Sequence, residues 1–366
     1  MKCFVETFTV NKRHALRISR GTTTRTTNLW LRLEDDGIEG WGEASPFSVT
    51  HEPLGTARQR GRKLTRHPPQ TTEQLQKELE AIAPLLLPYS PWQRQEIEQL
   101  LLDQAVPSGV RTAIDIALYD WMGKVVGQPL WKLWGLECDR ISPISVTIGI
   151  STPEQAQDRL RAWQKLLPVE LIKLKLGNPQ GISADQAMFT AVQQIAPRNS
   201  RIYVDANGGW SLEDAAVMAE WLAGQGVAYI EQPLAKGQED DLLKLKAKSP
   251  LPIFIDESCW GTEDILRYRD RIDGINIKLM KSGGLTEAMR MVQTARACGL
   301  QVMLGCYSDS CLLNTAAAHL SPLADYLDLD SHLNLLDDPF EGAKLQDSRV
   351  VPNDLPGLGV TRQQAL

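Results

Sequence analysis

The chain has 366 residues, 43% of them hydrophobic and 23% charged, with a formal net charge of −6. These values are ordinary for a globular protein, and the negative charge argues against a nucleic-acid partner. No segment approaches the roughly 20 apolar residues that a membrane-spanning helix needs, and the first residues lack the apolar stretch of a signal peptide. The six cysteines form no CxxC pair, so we expect reduced thiols in a cytoplasmic protein.

The first 135 residues predict a mixed α+β domain. Residues 2–10 and 26–44 have the composition of antiparallel strands, with a turn at Asp35–Gly37. Apolar residues then recur at helical spacing in three segments, at about 72–86, 91–104 and 109–126.

From about residue 141 onward, short apolar strands alternate with helix-like segments. The eight predicted strands are 144–150, 171–176, 202–206, 227–232, 252–257, 274–279, 301–306 and 326–331. Every gap except the last contains a helix-like stretch, and this alternation predicts a parallel α/β barrel. We therefore expect a barrel domain over 136–332 and a capping domain over 1–135, completed by the tail, 333–366.

Five of the predicted strands carry a charged residue close to their carboxyl ends, which is where barrel enzymes place their chemistry. These residues are Lys175, Asp205, Glu231, Asp256 and Lys278. From Asp205 onward the spacings are 26, 25 and 22 residues, each about one strand–helix repeat. The three acids should therefore lie side by side, with one lysine on each side of them.

Three converging carboxylates repel one another, at a cost of about 4 kcal/mol for each close pair at an effective dielectric constant near 20. A hard divalent cation relieves this repulsion, and an all-oxygen site with room for substrate suits Mg²⁺. The three acids therefore predict a magnesium site. The alternative is three separate carboxylates that cap the strand ends in solvent.

Lys173 and Lys175 lie on the same face of the second predicted strand. Lysine acts as a base near neutral pH only when its pKa is lowered, which burial and a nearby positive charge both promote. We interpret Lys175 as a base and Lys173 as the charge that lowers its pKa. The alternative is a pair of lysines that reach solvent at a strand edge.

Asp328 and Asp330 share one face of the eighth predicted strand, away from the metal-site strands. Two carboxylates there suit a cationic group such as a substrate ammonium, or else an arginine or lysine of the cap. Thr147, in the first predicted strand, is a candidate donor to a substrate carboxylate, although threonine is also simply common in strands.

The segments IKLKLG, VDANGGW, IEQPL, IDES and INIKLMKSGG resemble the enolase superfamily, specifically its muconate-lactonizing-enzyme subgroup. GWGEA (40–44) and residues 109–135 resemble the capping domain of the same family. The resemblance implies a modified TIM barrel, (β/α)7β, with an α+β cap. It also implies one Mg²⁺ per subunit, bound by Asp205, Glu231 and Asp256.

The family resemblance also implies a reaction. Lys175 and Lys278 would face opposite sides of the substrate, and the proton α to a carboxylate would be removed to give an enediolate that Mg²⁺ stabilises. Two bases on opposite faces permit a 1,1-proton transfer, which is racemisation or epimerisation. The pair Asp328 and Asp330 is similar to that of the dipeptide epimerases, where it holds the ammonium group of the first residue while the second residue is inverted.

In the L-Ala-D/L-Glu epimerases of this family, an arginine of the loop between the first two strands helps to bind the glutamate. The corresponding segment here is 16–27, and Arg20 and Arg25 are the candidates. The alternative is two arginines that are simply solvated, which would leave an acidic, hydrophobic or other second residue open.

The sequence therefore favours a Mg²⁺-dependent dipeptide epimerase with a small-molecule dipeptide substrate, and we expect a homo-oligomer. Alternatives within the subgroup are o-succinylbenzoate synthase and N-acylamino acid racemase, neither of which needs the Asp328–Asp330 pair. Muconate cycloisomerase is disfavoured because the pair would repel its dianionic substrate. A catalytically silent metal-binding or ligand-binding barrel is the alternative from another class, and the presence of both lysines argues against it.

Overall fold

An antiparallel sheet of three strands begins the chain in the computed structural model, which describes residues 1–46, 57–59, 62–64 and 70–363. The strands are β1 (Lys2–Ile18), β2 (Gly21–Asp35) and β3 (Ile38–Ala44). The expectation that residues 16–27 form a loop is wrong for most of the segment, because β1 continues to Ile18 and β2 begins at Gly21. The many β-branched residues of this segment favour an extended backbone, which explains the longer hairpin.

Two short strands and four helices complete the first part of the chain within the residues that the structure describes. They are β4 (Ala57–Gln59), β5 (Arg62–Leu64), α1 (Thr72–Leu86), α2 (Arg94–Asp103), α3 (Ser108–Val126) and α4 (Leu130–Leu133). The three predicted helices are all observed, and α1 begins with a capping box in which Thr71 and Gln74 bond each other's backbone. Helix α3 packs directly on β3. A Cβ atom at Gly42 would lie 1.9 Å from the carbonyl oxygen of Ala113, so this close packing requires glycine.

Eight parallel strands form the barrel. They are β6 (Ser145–Ile148), β7 (Leu171–Lys175), β8 (Arg201–Asp205), β9 (Ile230–Glu231), β10 (Ile253–Ile255), β11 (Gly274–Lys278), β12 (Gln301–Gly305) and β13 (Tyr326–Asp328). They are hydrogen-bonded in sequence order, and a bridge between Ile144 and Leu327 joins the last strand to the first. The predicted α/β barrel with an α+β cap is therefore confirmed.

Helices cover the outside of the barrel. They are α5 (Pro153–Gln164), α6 (Ile182–Ile195), α7 (Leu212–Gly224), α8 (Leu242–Lys246), α9 (Thr262–Tyr268), α10 (Leu279–Ser282), α11 (Leu285–Ala297) and α12 (Cys311–Leu320). The expectation that the last gap lacks a helix is wrong, because α12 fills it. All ten residues of α12 are buried, so this helix has no solvent-exposed face and lacks the charged side that marks a surface helix.

The barrel interior has an apolar layer below a polar one. The apolar layer consists of Leu171, Tyr203, Tyr229, Phe254 and Met303. The ring of Tyr229 lies 4.6 Å from that of Tyr203 and 4.4 Å from that of Phe254. Side chains alternate along a strand, so the next inward positions, toward the carboxyl ends, carry the charged residues. The aromatic layer closes the barrel beneath them.

The tail adds four short strands: β14 (Phe340–Glu341), β15 (Lys344–Gln346), β16 (Arg349–Val351) and β17 (Thr361–Arg362). It hydrogen-bonds to both parts of the chain, since Gly357 accepts from Leu130 and Ser348 accepts from Ile144. The tail therefore spans the predicted domain boundary, and the division at residue 135 stays a prediction. Across the described ranges, the helices are all too short or too polar to span a membrane.

Acid should destabilise the fold through the buried His319 of α12. Its Nδ1 accepts from the backbone N–H of Trp131 at 3.3 Å and its Nε2 lies 3.1 Å from the carbonyl of Leu358. Burial lowers its pKa to about 4, whereas an unfolded chain would bind the proton near pH 6.5. The stability from the neutral ring is therefore complete above pH 6.5 and lost as the pH falls toward 4, by about 3 kcal/mol.

Urea unfolding at pH 7 and pH 5 should detect this loss. We expect His319→Gln to flatten the pH dependence of the unfolding free energy, because the variant has no ring to protonate. The control is His14→Gln, which changes an exposed histidine. An unchanged slope in the His319 variant would contradict the prediction.

Candidate active site

Three acidic residues meet at the carboxyl ends of neighbouring barrel strands. Asp205 ends β8, Glu231 ends β9 and Asp256 directly follows β10. Each offers a carboxylate oxygen within 4.8 Å of the others, and none is more than 1% exposed. The structure thus brings together the three acids whose spacing matches the strand–helix repeat.

The chemistry of this cluster fits a hard divalent cation. Burial and the charge of Asp205 raise the pKa of Glu231 to about 7, although the ammonium group of Lys173 lies 2.7 Å away. Burial also opposes the charge of Asp205, but the ammonium groups of Lys175 and Lys173 outweigh burial and hold its pKa at about 2. A divalent cation among three oxygen donors would stabilise all three charges at once.

Lys173 lies inside the barrel and is 0% exposed. Its Nζ is 2.6 Å from Asp328, 2.7 Å from Glu231 and 3.4 Å from Asp205. Burial alone would lower its pKa, but these three carboxylates raise it well above the ordinary value. Lys173 is therefore a fixed positive charge that joins the acid cluster to the eighth strand.

The two candidate bases stand at opposite ends of the acid cluster. Lys175, the last residue of β7, lies with its Nζ 2.6 Å from Asp205. Lys278, the last residue of β11, lies with its Nζ 2.8 Å from Asp256 and 4.4 Å from the ring centroid of Tyr307. Both lysines are 6% exposed, so each is largely shielded from solvent, although it borders a cavity.

The site contains a further lysine, Lys281, that the sequence analysis did not predict. It lies on α10, one turn after β11, and is 2% exposed. Its Nζ donates to the Asp256 carboxylate at 2.6 Å and to the carbonyl of Asn276 at 3.1 Å. Lys281 therefore holds the carboxylate of Asp256 from the helix that directly follows β11. In the sequence, Lys281 appears only as a lysine in the first turn of a helix, and its distance along the chain from Lys278 does not reveal that it is buried.

Asp328 and Asp330 lie together, beside the first barrel strand. Thr147 donates to both, through its backbone N–H to Asp330 at 2.7 Å and its hydroxyl to Asp328 at 3.2 Å. Burial opposes the charge of Asp328, but the ammonium group of Lys173 lowers its pKa. By contrast, burial and the charge of Asp328 raise the pKa of Asp330 to about 6. A cation beside Asp330 would therefore stabilise its ionised form. Contact of Thr147 with substrate stays a prediction.

Arg20 and Arg25 lie on the β1–β2 hairpin above the barrel. Arg20 forms an ion pair with Glu257 at 2.5 Å and donates to the carbonyl of Asn207 at 2.9 Å. Its guanidinium group therefore fastens the hairpin to the loops that follow β8 and β10. Arg25 is exposed and borders the same cavity as Arg20. Contact of either arginine with substrate stays a prediction.

Two adjoining cavities open at this end of the barrel. The Asp328 cavity, about 860 Å³, is bordered by Asp328, Asp330 and Thr147. The Lys278 cavity, about 560 Å³, is bordered by Lys278, Arg20 and Arg25. The residues common to both are Leu16, Lys175, Cys306 and Tyr307. A ligand that spans the two cavities would therefore pass Lys175 at their junction.

Comparisons with known proteins agree with this geometry. Residues 4–135 match the mandelate racemase / muconate lactonizing enzyme N-terminal domain, and residues 141–366 match the enolase C-terminal domain-like family. The chain is 40% identical to a hydrophobic dipeptide epimerase of Roseobacter litoralis over 98% of each chain. It is 32% identical to an L-Ala-D/L-Glu epimerase of Bacteroides thetaiotaomicron, over 99% of this chain and 88% of the relative.

A solved structure shows the same fold. It is a dipeptide epimerase from Cytophaga hutchinsonii complexed with Mg and the dipeptide D-Ala-L-Val. The TM-score is 0.88 at 26% identity, with 99% of this chain and 95% of that chain covered. With both family models matched along nearly its whole length, this chain belongs to the mandelate racemase / muconate lactonizing enzyme family of enolase-like proteins.

Proposed function

We propose that this protein is a Mg²⁺-dependent dipeptide epimerase. The observation that carries the proposal is the placement of two lysines, Lys175 and Lys278, on the strands that flank the three-acid cluster, each paired with the nearest acid. Such a pair can reach one carbon atom from two sides. The relatives named as dipeptide epimerases support the same activity.

In this proposal, Asp205, Glu231 and Asp256 would hold the Mg²⁺. When bound, the ion supplies positive charge for the negative charge that develops on the substrate carboxylate. One of the two lysines takes the α-proton of the second residue, and the other delivers a proton to the opposite face. Lys173 keeps a fixed positive charge beneath them, because three carboxylates surround it.

The same proposal assigns the substrate ammonium to Asp328 and Asp330. Asp330 supports this role because burial and the charge of Asp328 raise its pKa, so that a cation bound beside it would stabilise its ionised form. An ammonium site favours a dipeptide over an N-acylamino acid or a succinylbenzoate precursor, which offer no cation. It also orients the substrate, with its first residue in the Asp328 cavity and its second in the Lys278 cavity.

We propose an apolar second residue. Arg20 is already engaged by Glu257, so its charge is not available in full for a substrate carboxylate. The Lys278 cavity is also bordered by Leu16, Ile18 and Pro46. The relative of Roseobacter litoralis, named as a hydrophobic dipeptide epimerase, supports this preference.

The proposal also places the protein in the cytoplasm as a homo-oligomer. All six cysteines are free, which is in keeping with a reducing compartment.

Deuterium incorporation tests the proposed function. The protein is incubated with Mg²⁺ in D₂O against pools of L,L-dipeptides, and the products are read by mass spectrometry and chiral chromatography. We expect a single deuterium in susceptible dipeptides, together with the L,D isomer, because both lysines exchange protons with solvent. A matched incubation with EDTA should give neither. Exchange into N-acylamino acids alone, with metal binding demonstrated, would contradict the proposal.

A further inference from the structure

A buried lysine, Lys12, borders the Asp328 cavity. Lys12 lies on β1, is 8% exposed and contributes to the cavity wall. No hydrogen bond or ion pair to another described residue engages its ammonium group. Burial lowers its pKa more than the nearby charges of Asp330 and Asp309 raise it. An ammonium group that borders a cavity and forms no ion pair among the described residues can bind a carboxylate that enters the cavity.

The backbone holds Lys12 at the cavity. Pairing between β1 and β2 is interrupted between Asn11 and Leu16. In this interval the chain pairs with the segment after β13, through a bridge between Lys12 and Leu335 and through Asn334, which bonds the backbone of His14 in both directions. The position of Lys12 in the cavity wall is therefore fixed by backbone contacts and not by contacts of its own side chain.

Further cations border the same cavity. Arg159 stacks on Trp163, with its guanidinium carbon 4.1 Å from the ring centroid, and donates to Asn334 at 3.1 Å. Arg17 also contributes to the wall. On the acidic side the wall carries Asp158, Asp328 and Asp330, and Asp328 is already paired with Lys173. Among the described residues, the wall thus holds five lysines and arginines against three carboxylates, which is more positive charge than an ammonium site alone requires.

We propose that Lys12 forms a subsite for a carboxylate on the side chain of the first substrate residue, so that the preferred substrates are L-Asp-Xaa or L-Glu-Xaa dipeptides. This inference rests on the proposed function, which places the ammonium of the first residue at Asp328 and Asp330. The side chain of that residue starts from the atom that bears the ammonium and therefore shares the cavity. An acidic side chain would give Lys12 a counterion, a neutral one would leave it unpaired, and a basic one would be repelled.

Pairs of isosteric dipeptides test this subsite in the wild-type enzyme. L-Asp-L-Leu is compared with L-Asn-L-Leu, and L-Glu-L-Leu with L-Gln-L-Leu, by the appearance of the L,D isomer. Each pair differs in charge but hardly in shape. We expect kcat/KM to favour the acid by roughly tenfold or more, since hydrogen bonds to charged groups contribute on this scale, and L-Lys-L-Leu to be the slowest. Equal or reversed rates within the pairs would overturn the inference.

Substitution of Lys12 tests the assignment to this residue. In Lys12→Met we expect the acid-to-amide ratio of kcat/KM to fall toward one, whereas Lys2→Met, an exposed lysine of the same strand, should keep the wild-type ratio. A ratio that persists in a folded Lys12→Met protein would overturn the assignment. Lys12→Gln provides a second variant if methionine prevents folding, and the wild-type comparison stands without either.

The outcomes also separate this inference from the proposed function. Turnover of L-Asn-L-Leu and L-Gln-L-Leu without any acidic preference would overturn only the Lys12 subsite. N-succinyl-L-leucine differs from L-Asp-L-Leu by the absence of the amino group. If that compound alone reacted and no dipeptide did, the ammonium site and the dipeptide epimerase proposal would both be wrong.

Discussion

Replacing Lys278 or Lys175 by alanine is expected to lower kcat/KM for epimerisation by at least roughly 10²–10⁴-fold in either variant. Each lysine is placed to serve one face of the α-carbon, because the two stand on opposite sides of the acid cluster. Inversion needs both faces, so one remaining lysine cannot complete it. Chiral chromatography of an L,L-dipeptide reaction measures the loss.

The isotope readout separates a lost base from a damaged fold. The remaining lysine can still remove a proton and return a solvent deuteron to the same face. We therefore expect the Lys175 and Lys278 variants to exchange the α-proton of opposite isomers without inversion. Lys244→Ala, at an exposed lysine of α8, is the control and should retain full epimerisation. Normal inversion in either active-site variant would refute the two-base mechanism.

Replacing Glu231 by glutamine is expected to remove most of the benefit of Mg²⁺. The substitution takes away the central carboxylate of the cluster while preserving its shape. Loss of the ion's electrostatic contribution, which amounts to several kcal/mol, should lower kcat/KM roughly a thousandfold. Isothermal titration calorimetry should show a corresponding loss of affinity of the variant for Mg²⁺.

Stability without metal provides the internal control for this variant. In the wild-type protein, burial and Asp205 raise the pKa of Glu231 to about 7, so its charged form destabilises the metal-free fold above that pH. We expect the Tm of Glu231→Gln in EDTA at pH 8 to be no lower than that of the wild type, while the rise in Tm that Mg²⁺ produces disappears. Glu213→Gln, at an exposed position in the first turn of α7, should behave as wild type. An undiminished rise with Mg²⁺ would exclude Glu231 as a ligand.

Lys173 connects the proposed metal site to the proposed ammonium site. Its single ammonium group contacts Asp328 on one side and Glu231 and Asp205 on the other. A change of charge at either site therefore alters how strongly Lys173 is held at the other. The sequence suggested a simpler role, in which Lys173 only lowers the pKa of Lys175. The contacts of Lys173 with three acids add a structural role that its spacing from Lys175 does not reveal.

The sequence by itself predicted the features that depend on local periodicity. Alternating side chains in each strand and a strand–helix repeat of nearly constant length were enough to bring Asp205, Glu231 and Asp256 to neighbouring positions, with Lys175 and Lys278 on either side. These features could be predicted because both periods are set by backbone geometry, which each strand–helix unit repeats independently of the rest of the chain.

Tertiary structure alone decided the contacts between residues that are distant along the chain. These contacts include the burial of α12 on every side, the ion pair of Arg20 with Glu257, and the ion pair of Lys281 with Asp256. Tertiary structure also placed Lys12 in the wall of the Asp328 cavity, where no described residue forms a hydrogen bond or ion pair with its ammonium group. No sequence period encodes these outcomes, because each depends on how separately formed elements pack and on which charges that packing removes from water.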